Sequence, residues 1–221
     1  MKSIRDILRL SPVMPVIVLD CLEDAVPLAR ALVAGGIRVL EVTMRTPVAL
    51  DCVRAIRAAV PEAIVGVGTI SSVSDFDAAR EAGAMFGVSP GAPAALLAKA
   101  ARCDFPFLPG VMTPTDVMSV LVAGYTAMKL FPARQAGGID MLKALYGPFP
   151  KVLFCPTGGI DADSAPQYLA LPNVACVGGS WLTPTALVAN KDWAGIERRA
   201  EIASKLECNQ TLTHRELTDE Y

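Results

Sequence analysis

Residues 125–132 read Tyr-Thr-Ala-Met-Lys-Leu-Phe-Pro. The run has the apolar, β-compatible character of a strand, and Pro132 ends its pairing. Strand alternation places Tyr125, Ala127, Lys129 and Phe131 on one face. A lysine inside an apolar strand needs a reason, because desolvating an ammonium is costly. In its ordinary role the ammonium reaches the strand end or pairs with a carboxylate. In its chemical role the amine sheds its proton and attacks a carbonyl carbon to form a Schiff base.

The flanking chain repeats this pattern of strand followed by helix. Upstream, residues 3–10 suggest a short helix capped by Ser3. Strands are expected at Val13–Leu19, Ile37–Thr43, Ala63–Thr69, Met85–Val88 and Pro106–Pro109. Helices between them are expected at Glu23–Val33, Val48–Val60 behind a Thr46-Pro47 cap, Ser74–Gly83, Pro93–Arg102, and from Thr113-Pro114 to Gly124. Downstream come a helix near 138–145, a strand at Lys151–Cys155, a helix at Asp161–Leu171 interrupted by Pro166, and a strand at Val174–Val177. Helices near 184–188 and 192–206 complete the series. Eight short strands rich in Val, Ile and Leu, alternating with helices, predict an α/β fold with buried parallel strands closed into a (β/α)₈ TIM barrel. No Gly-x-Gly-x-x-Gly follows the first strand, which disfavours an open dinucleotide-binding sheet. Residues 1–206 are expected to form a single domain, with 207–221 a polar, frayed tail.

Composition narrows the function. The 221 residues are 52% hydrophobic and 19% charged, with a net charge of −2. Such a chain holds one substantial core, and without a long basic block nucleic acid is not an expected partner. The opening residues lack the apolar centre of a signal peptide, and no stretch has the length of a membrane span, so a cytoplasmic protein is expected. Cys21, Cys52, Cys103, Cys155, Cys176 and Cys208 form no Cys-x-x-Cys pair. The only histidine, His214, lies in the polar tail. Histidine-based triads and histidine-rich metal sites are therefore disfavoured, and acid–base chemistry falls to carboxylates, lysine, tyrosine or water.

In a barrel of this class the active site lies at the C-terminal ends of the strands. Glu41, a second charge within an apolar strand, is either an ion-pair partner for Lys129 or a general base and acid. Arg45, in the loop beyond, is either solvated or a bidentate clamp for a carboxylate. Thr69 is a helix cap or a substrate contact, and Phe131 is core by residue type. Thr157-Gly158-Gly159 and Gly178-Gly179-Ser180 follow the last two strands, where barrels often hold phosphate. Glycine there lets backbone N–H groups approach an anion. The set describes Schiff-base chemistry on a phosphorylated oxo-acid, with no sign of a metal.

Six motifs then carry a more specific likeness: Glu-Val-Thr-Met-Arg-Thr (41–46), Val-Gly-Val-Gly-Thr (65–69), Ser-Pro-Gly (89–91), Lys-Leu-Phe-Pro-Ala (129–133), Phe-Cys-Pro-Thr-Gly-Gly-Ile (154–160) and Gly-Gly-Ser-Trp-Leu (178–182). In order and spacing, from about residue 12 to 205, the chain resembles the bacterial 2-keto-3-deoxy-6-phosphogluconate (KDPG) aldolases. The resemblance implies a metal-free class I aldolase without a cofactor, usually a homotrimer. Such an enzyme splits its phosphorylated 2-oxo acid into pyruvate and glyceraldehyde 3-phosphate within the Entner–Doudoroff route. Some action on 4-hydroxy-2-oxoglutarate (KHG) goes with it. It further implies Lys129 as the Schiff-base lysine and Glu41 as the acid–base group. Arg45 and Thr69 fall around the pyruvate carboxylate, Pro90 and Phe131 line the site, and Thr157 bears on substrate stereochemistry. Gly158, Gly159 and Ser180 fall at the phosphate. Arg134 departs from the pattern, where relatives often carry glutamate. Two other readings stand beside this one: the same chemistry on the C4 epimer, 2-dehydro-3-deoxy-6-phosphogalactonate, and a non-catalytic phosphosugar-binding barrel.

Overall fold

The computed structural model describes residues 3–209. The expectations for most of the polar tail, His214 included, lie outside the described residues. Strands β1 (Val13–Ile17), β2 (Val39–Thr43), β3 (Ile64–Gly68), β4 (Phe86–Val88), β5 (Phe107–Leu108), β6 (Gly110–Val111), β7 (Ala127–Leu130), β8 (Leu153–Pro156) and β9 (Val177–Gly179) are all paired in parallel. Between and around them run α1 (Ile4–Leu8), α2 (Ala25–Ala34), α3 (Ala49–Ala59), α4 (Val73–Glu81), α5 (Ala94–Ala101), α6 (Pro114–Val122), α7 (Gly138–Tyr146), α8 (Ala165–Leu169), α9 (Thr185–Ala189) and α10 (Trp193–Ser204).

Side-chain caps fix several helix starts. Ser3, Ser72 and Thr113 form reciprocal capping boxes with Asp6, Asp75 and Asp116. Each box satisfies backbone donors that the first turn leaves free. Thr46 acts otherwise than expected: its hydroxyl donates to Leu19 O, and α3 begins after Val48 without a side-chain cap. Pro166 sits in the first turn of α8, where its missing N–H is tolerated, and the helix is shorter than expected for that reason.

The strands form a curled six-stranded sheet in the order β5-β4-β3-β2-β1-β9 and a three-stranded sheet in the order β6-β7-β8. The expected ring of eight continuous strands is thus drawn differently. The fifth strand is split at Pro109, which has no N–H to give to a ladder. The last strand lies at Val177–Gly179, with Val174 in only an isolated bridge to Phe154. A second isolated bridge joins Thr157 to Gly178. Tyr125 lies outside β7, and its ring meets Phe107 edge-on at 6.1 Å, so it does not share the Lys129 face as the alternation suggested.

Two apolar layers result. The larger packs helices against the outer face of the strands and includes Met128, Leu130, Phe76 and Phe107. The smaller is enclosed by the strands themselves and contains Met14, Val39, Phe86, Ala127 and Cys155, with Ile7 and Leu8 of α1 covering one end. Arg5 ties that helix down by donating to Thr126 O at 3.0 Å and Lys151 O at 3.2 Å. Beyond α10 the chain turns back, and Asn209 donates to Leu169 O and Ala170 O. Asn209 is thereby tied to the end of α8. Among the described residues no helix is long and apolar enough to cross a membrane.

Candidate active site

Glu41 lies in β2 and Lys129 in β7, both on the enclosed face near the C-terminal strand ends. Lys129 Nζ donates to Glu41 Oε1 at 3.1 Å, with Oε2 at 3.5 Å. Their side chains are 5% and 1% exposed. The described ion pairs on the helices, such as Arg54–Asp51 and Lys205–Glu201, are by contrast open to water. Desolvating the buried pair costs several kcal/mol per ion, and mutual attraction offsets this only with good geometry. An apolar pair would pack there more cheaply, so the position points to chemistry more than to stability.

Glycines make the room. A Cβ on Gly68 would collide with the Glu41 carboxylate, and one on Gly66 would collide with the Phe86 ring. Both residues lie in β3, beside β2, and Gly68 pairs with Thr43. Thr43 is itself buried and donates to Ile17 O at 2.9 Å, fixing the end of β2 just past Glu41. The sequence reading assigned no role to Gly66, Gly68 or Thr43. The alternation of glycine through Val-Gly-Val-Gly is the signal that one face of β3 yields its space to neighbours.

The other candidates are distributed around this pair. Phe131 is half-buried, with its ring centroid 5.3 Å from Lys129 Nζ, within range of a cation–π contact. Pro90 lies over Gly110, where a Cβ would strike the Ser89 and Pro90 backbone, and Gly110 is the register partner of Lys129. Ser89 is fully buried, and its hydroxyl accepts from Gly110 N at 3.2 Å. Thr69 follows β3 with φ +65°, a conformation disfavoured for a β-branched residue. Such strain is characteristic of functional positions. Thr157 is buried and fills the space left by Gly178. Gly158 and Gly159 have φ +105° and +75°. Ser180 is exposed beyond β9 and lines a cleft of about 240 Å³ with Val16, Val18, Asp20 and Thr183. Arg45 is exposed beyond β2. Lys129, Glu41, Phe131 and the Gly110–Pro90 contact thus form a compact centre, while Arg45 and Ser180 are exposed just beyond β2 and β9.

Cys155, buried beside the site, is the register partner of Lys129 in β8. Cys176 Sγ donates to Cys155 Sγ at 3.5 Å, and that bond together with burial pushes the Cys176 thiol well above its ordinary value. Cys176 is thereby held as a thiol, and the thiolate is the reactive form. Among the described residues no group of three or more His, Cys, Asp and Glu is arranged to hold a metal ion. The arrangement provides an amine within proton-transfer distance of a carboxylate, in a site shielded from water.

A family model described as "Aldolase: KDPG and KHG aldolase" matches residues 4–199. The chain is 47% identical over 201 residues to the KHG/KDPG aldolase of Escherichia coli, covering 91% of this chain and 94% of that one. It superposes with a TM-score of 0.91 and 46% identity on the KDPG aldolase of Legionella pneumophila, in which pyruvate was captured at low pH as a covalent carbinolamine. That match covers 92% of this chain and 98% of the other. A Zymomonas mobilis KDPG aldolase structure with 3-phosphoglycerate gives a TM-score of 0.90 at 47% identity, over 95% of this chain and 98% of that one.

Proposed function

The chain belongs to the KDPG and KHG aldolase family, and from that premise we propose that it is a class I aldolase whose Schiff base forms on Lys129. Its substrate is 2-dehydro-3-deoxy-6-phosphogluconate, and its products are pyruvate and glyceraldehyde 3-phosphate. KHG is a second substrate, a reading supported by the name of the Escherichia coli relative. The observation that carries the proposal is the buried Lys129–Glu41 contact of 3.1 Å.

Transfer of the ammonium proton to Glu41 leaves the neutral amine that attacks C2. Glu41 gives that proton to the carbinolamine hydroxyl, which leaves as water and yields an iminium, an electron sink for the C3–C4 bond. Glu41, directly or through a water, takes the proton of the C4 hydroxyl, the bond breaks, and the aldehyde leaves behind an enamine. Glu41 then returns a proton to C3, and water hydrolyses the iminium to release pyruvate. One carboxylate alternates between base and acid, so no histidine is needed. Phe131 and Pro90 line the site, and Arg45 and Thr69 receive the carboxylate of the pyruvate moiety. Thr157 faces the stereocentre, and Gly158, Gly159 and Ser180 receive the phosphate. The positive φ of both glycines supports this last assignment, because it marks a turn that side chains disfavour and whose backbone an anion can approach closely.

We read the two sheets as one (β/α)₈ barrel in a single domain of residues 1–206. Continuity of β5 and β6 across Pro109 and the bridges from β8 toward β9 support that closure. The family resemblance supports a homotrimer in the cytoplasm. A groove of about 440 Å³ between α5 and α6, beside exposed Val122, offers an apolar face for subunit contact.

Borohydride reduction in the presence of pyruvate, followed by intact mass and peptide mapping, tests the proposal. An adduct on Lys129 is expected. A folded protein that takes no adduct sinks the reading and returns the phosphosugar-binding alternative.

A further inference from the structure

Arg134 follows closely on the strand that carries Lys129, and its surroundings are unusual for an exposed cation. Its backbone N–H donates to Gly158 O at 3.0 Å, as that of Ala133 does to Thr157 O at 2.8 Å. The turns after β7 and β8 are thereby laced together. The stem of the Arg134 side chain crosses Gly159: a Cβ built there would stand 2.6 Å from Arg134 Cβ and 2.9 Å from Cδ. Glycine is required at 159 both by its φ of +75° and by the stem lying over it. A stem already held against backbone loses less freedom when its head takes a ligand.

The head is available. Among the described residues no ion pair engages the Arg134 guanidinium. Asp161 feels its charge but is committed elsewhere, accepting from Ser164 Oγ at 2.6 Å and Ser164 N at 2.9 Å. Those bonds are the main reason its carboxyl is held below the ordinary range, with Arg134 a lesser contributor. A planar fork with five donors suits a phosphate better than a point charge does.

We propose that Arg134 is a specificity-determining residue, its guanidinium taking the terminal phosphate of the substrate beside the Gly158–Gly159 turn and so favouring phosphorylated over non-phosphorylated 2-oxo acids. The inference rests on the Schiff-base reading given above.

The test compares wild type, Arg134→Gln and Arg134→Lys in steady-state cleavage of KDPG and of KHG, which has no phosphate. In Arg134→Gln the KM for KDPG should rise about five- to tenfold, the range of one charge-assisted contact at an exposed site. The ratio of kcat/KM for KDPG over KHG should fall by a similar factor, and Arg134→Lys should fall between the two. The deficit should shrink as salt is raised, because an exposed charge is screened. An unchanged ratio in Arg134→Gln, or an equal loss on both substrates, overturns the proposal. Borohydride trapping of pyruvate reads Lys129 separately. Trapping with an unchanged ratio removes only the role of Arg134, whereas a wild-type protein that does not trap overturns both readings.

Discussion

Gly68→Ala tests whether the enclosed carboxylate must stand where it does. A Cβ at position 68 would approach the Glu41 Cδ and Cγ to 2.7 Å, where ordinary contact begins near 3.4 Å. The carboxyl group must therefore move by at least about 0.7 Å, and more for Oε1, which lies nearest the added carbon, since its neighbours are close-packed and the strand backbone is held on both sides. A shift of that size changes the 3.1 Å Lys129–Glu41 contact. Outward, it takes the pair beyond hydrogen-bond range; inward, it forces an overlap. Misplacement on this scale costs about a hundredfold in rate where proton transfer depends on position. Overpacking should also lower stability by about 1–3 kcal/mol, leaving a folded protein whose melting temperature is reduced. The assay is steady-state cleavage coupled to pyruvate reduction, alongside borohydride trapping. A kcat reduced about a hundredfold, with the pyruvate adduct still formed, is expected, because Lys129 is not displaced directly. A folded variant within a few-fold of wild-type kcat would refute the argument that Gly68 holds the acid–base group in place.

Lys129→Ala should abolish turnover and the borohydride adduct together. It should also destabilise the fold by about 3–5 kcal/mol in denaturant titration, because Glu41 is left as an uncompensated buried charge. The carboxyls of Asp75 and Asp116 are each raised by burial, but their hydrogen bonds, from Ser71 and Ser72 and from Met112 and Thr113, outweigh that and hold them below the ordinary 3.8. A depressed folded value means that their contribution is complete above 3.8 and is lost as pH falls through the lower folded value. Asp75→Asn should accordingly flatten the loss of stability in that acid range, seen by denaturant unfolding at stepped pH. If buried Thr157 faces the stereocentre as proposed, the gluconate form of the two C4 epimers should be preferred by about tenfold or more in kcat/KM, because a hydrogen-bonding group discriminates strongly. Equal rates on both would remove Thr157 from that role.

Much of the fold was legible because buried parallel strands are short apolar runs between helices with recognisable caps. Val-Leu-Glu-Val-Thr and Ala-Met-Lys-Leu needed little more than their composition. The last strand was displaced because Gly178 and Gly179 read as loop, yet pairing with β1 depends on backbone groups that glycine supplies as well as valine. The split at Pro109 follows from its missing N–H, which was visible, but its effect on the ladder depends on neighbours that were not. The charges at 41 and 129 were conspicuous singly. Their pairing was one of the two roles open to Glu41, but its geometry spans 88 residues and depends on the register of several intervening strands, which local pattern does not encode. Thr69 read as a helix cap or a substrate contact, and its positive φ is not a property that residue type announces.

Helix α1 gives the molecule a particular order of assembly. It precedes every strand in the chain, yet its anchors at Thr126 and Lys151 lie 121 and 146 residues further on. At about 5–20 residues per second, a ribosome leaves Ile7 and Leu8 without their final partners for roughly 6–30 seconds. During that interval the amphipathic segment is exposed to chaperones and to other nascent chains. The segments that lead into β7 and β8 receive this helix, so the enclosed layer is sealed only when translation is well advanced. Slowing synthesis before residue 151 should therefore affect the yield of folded protein more than the activity of each molecule that completes folding.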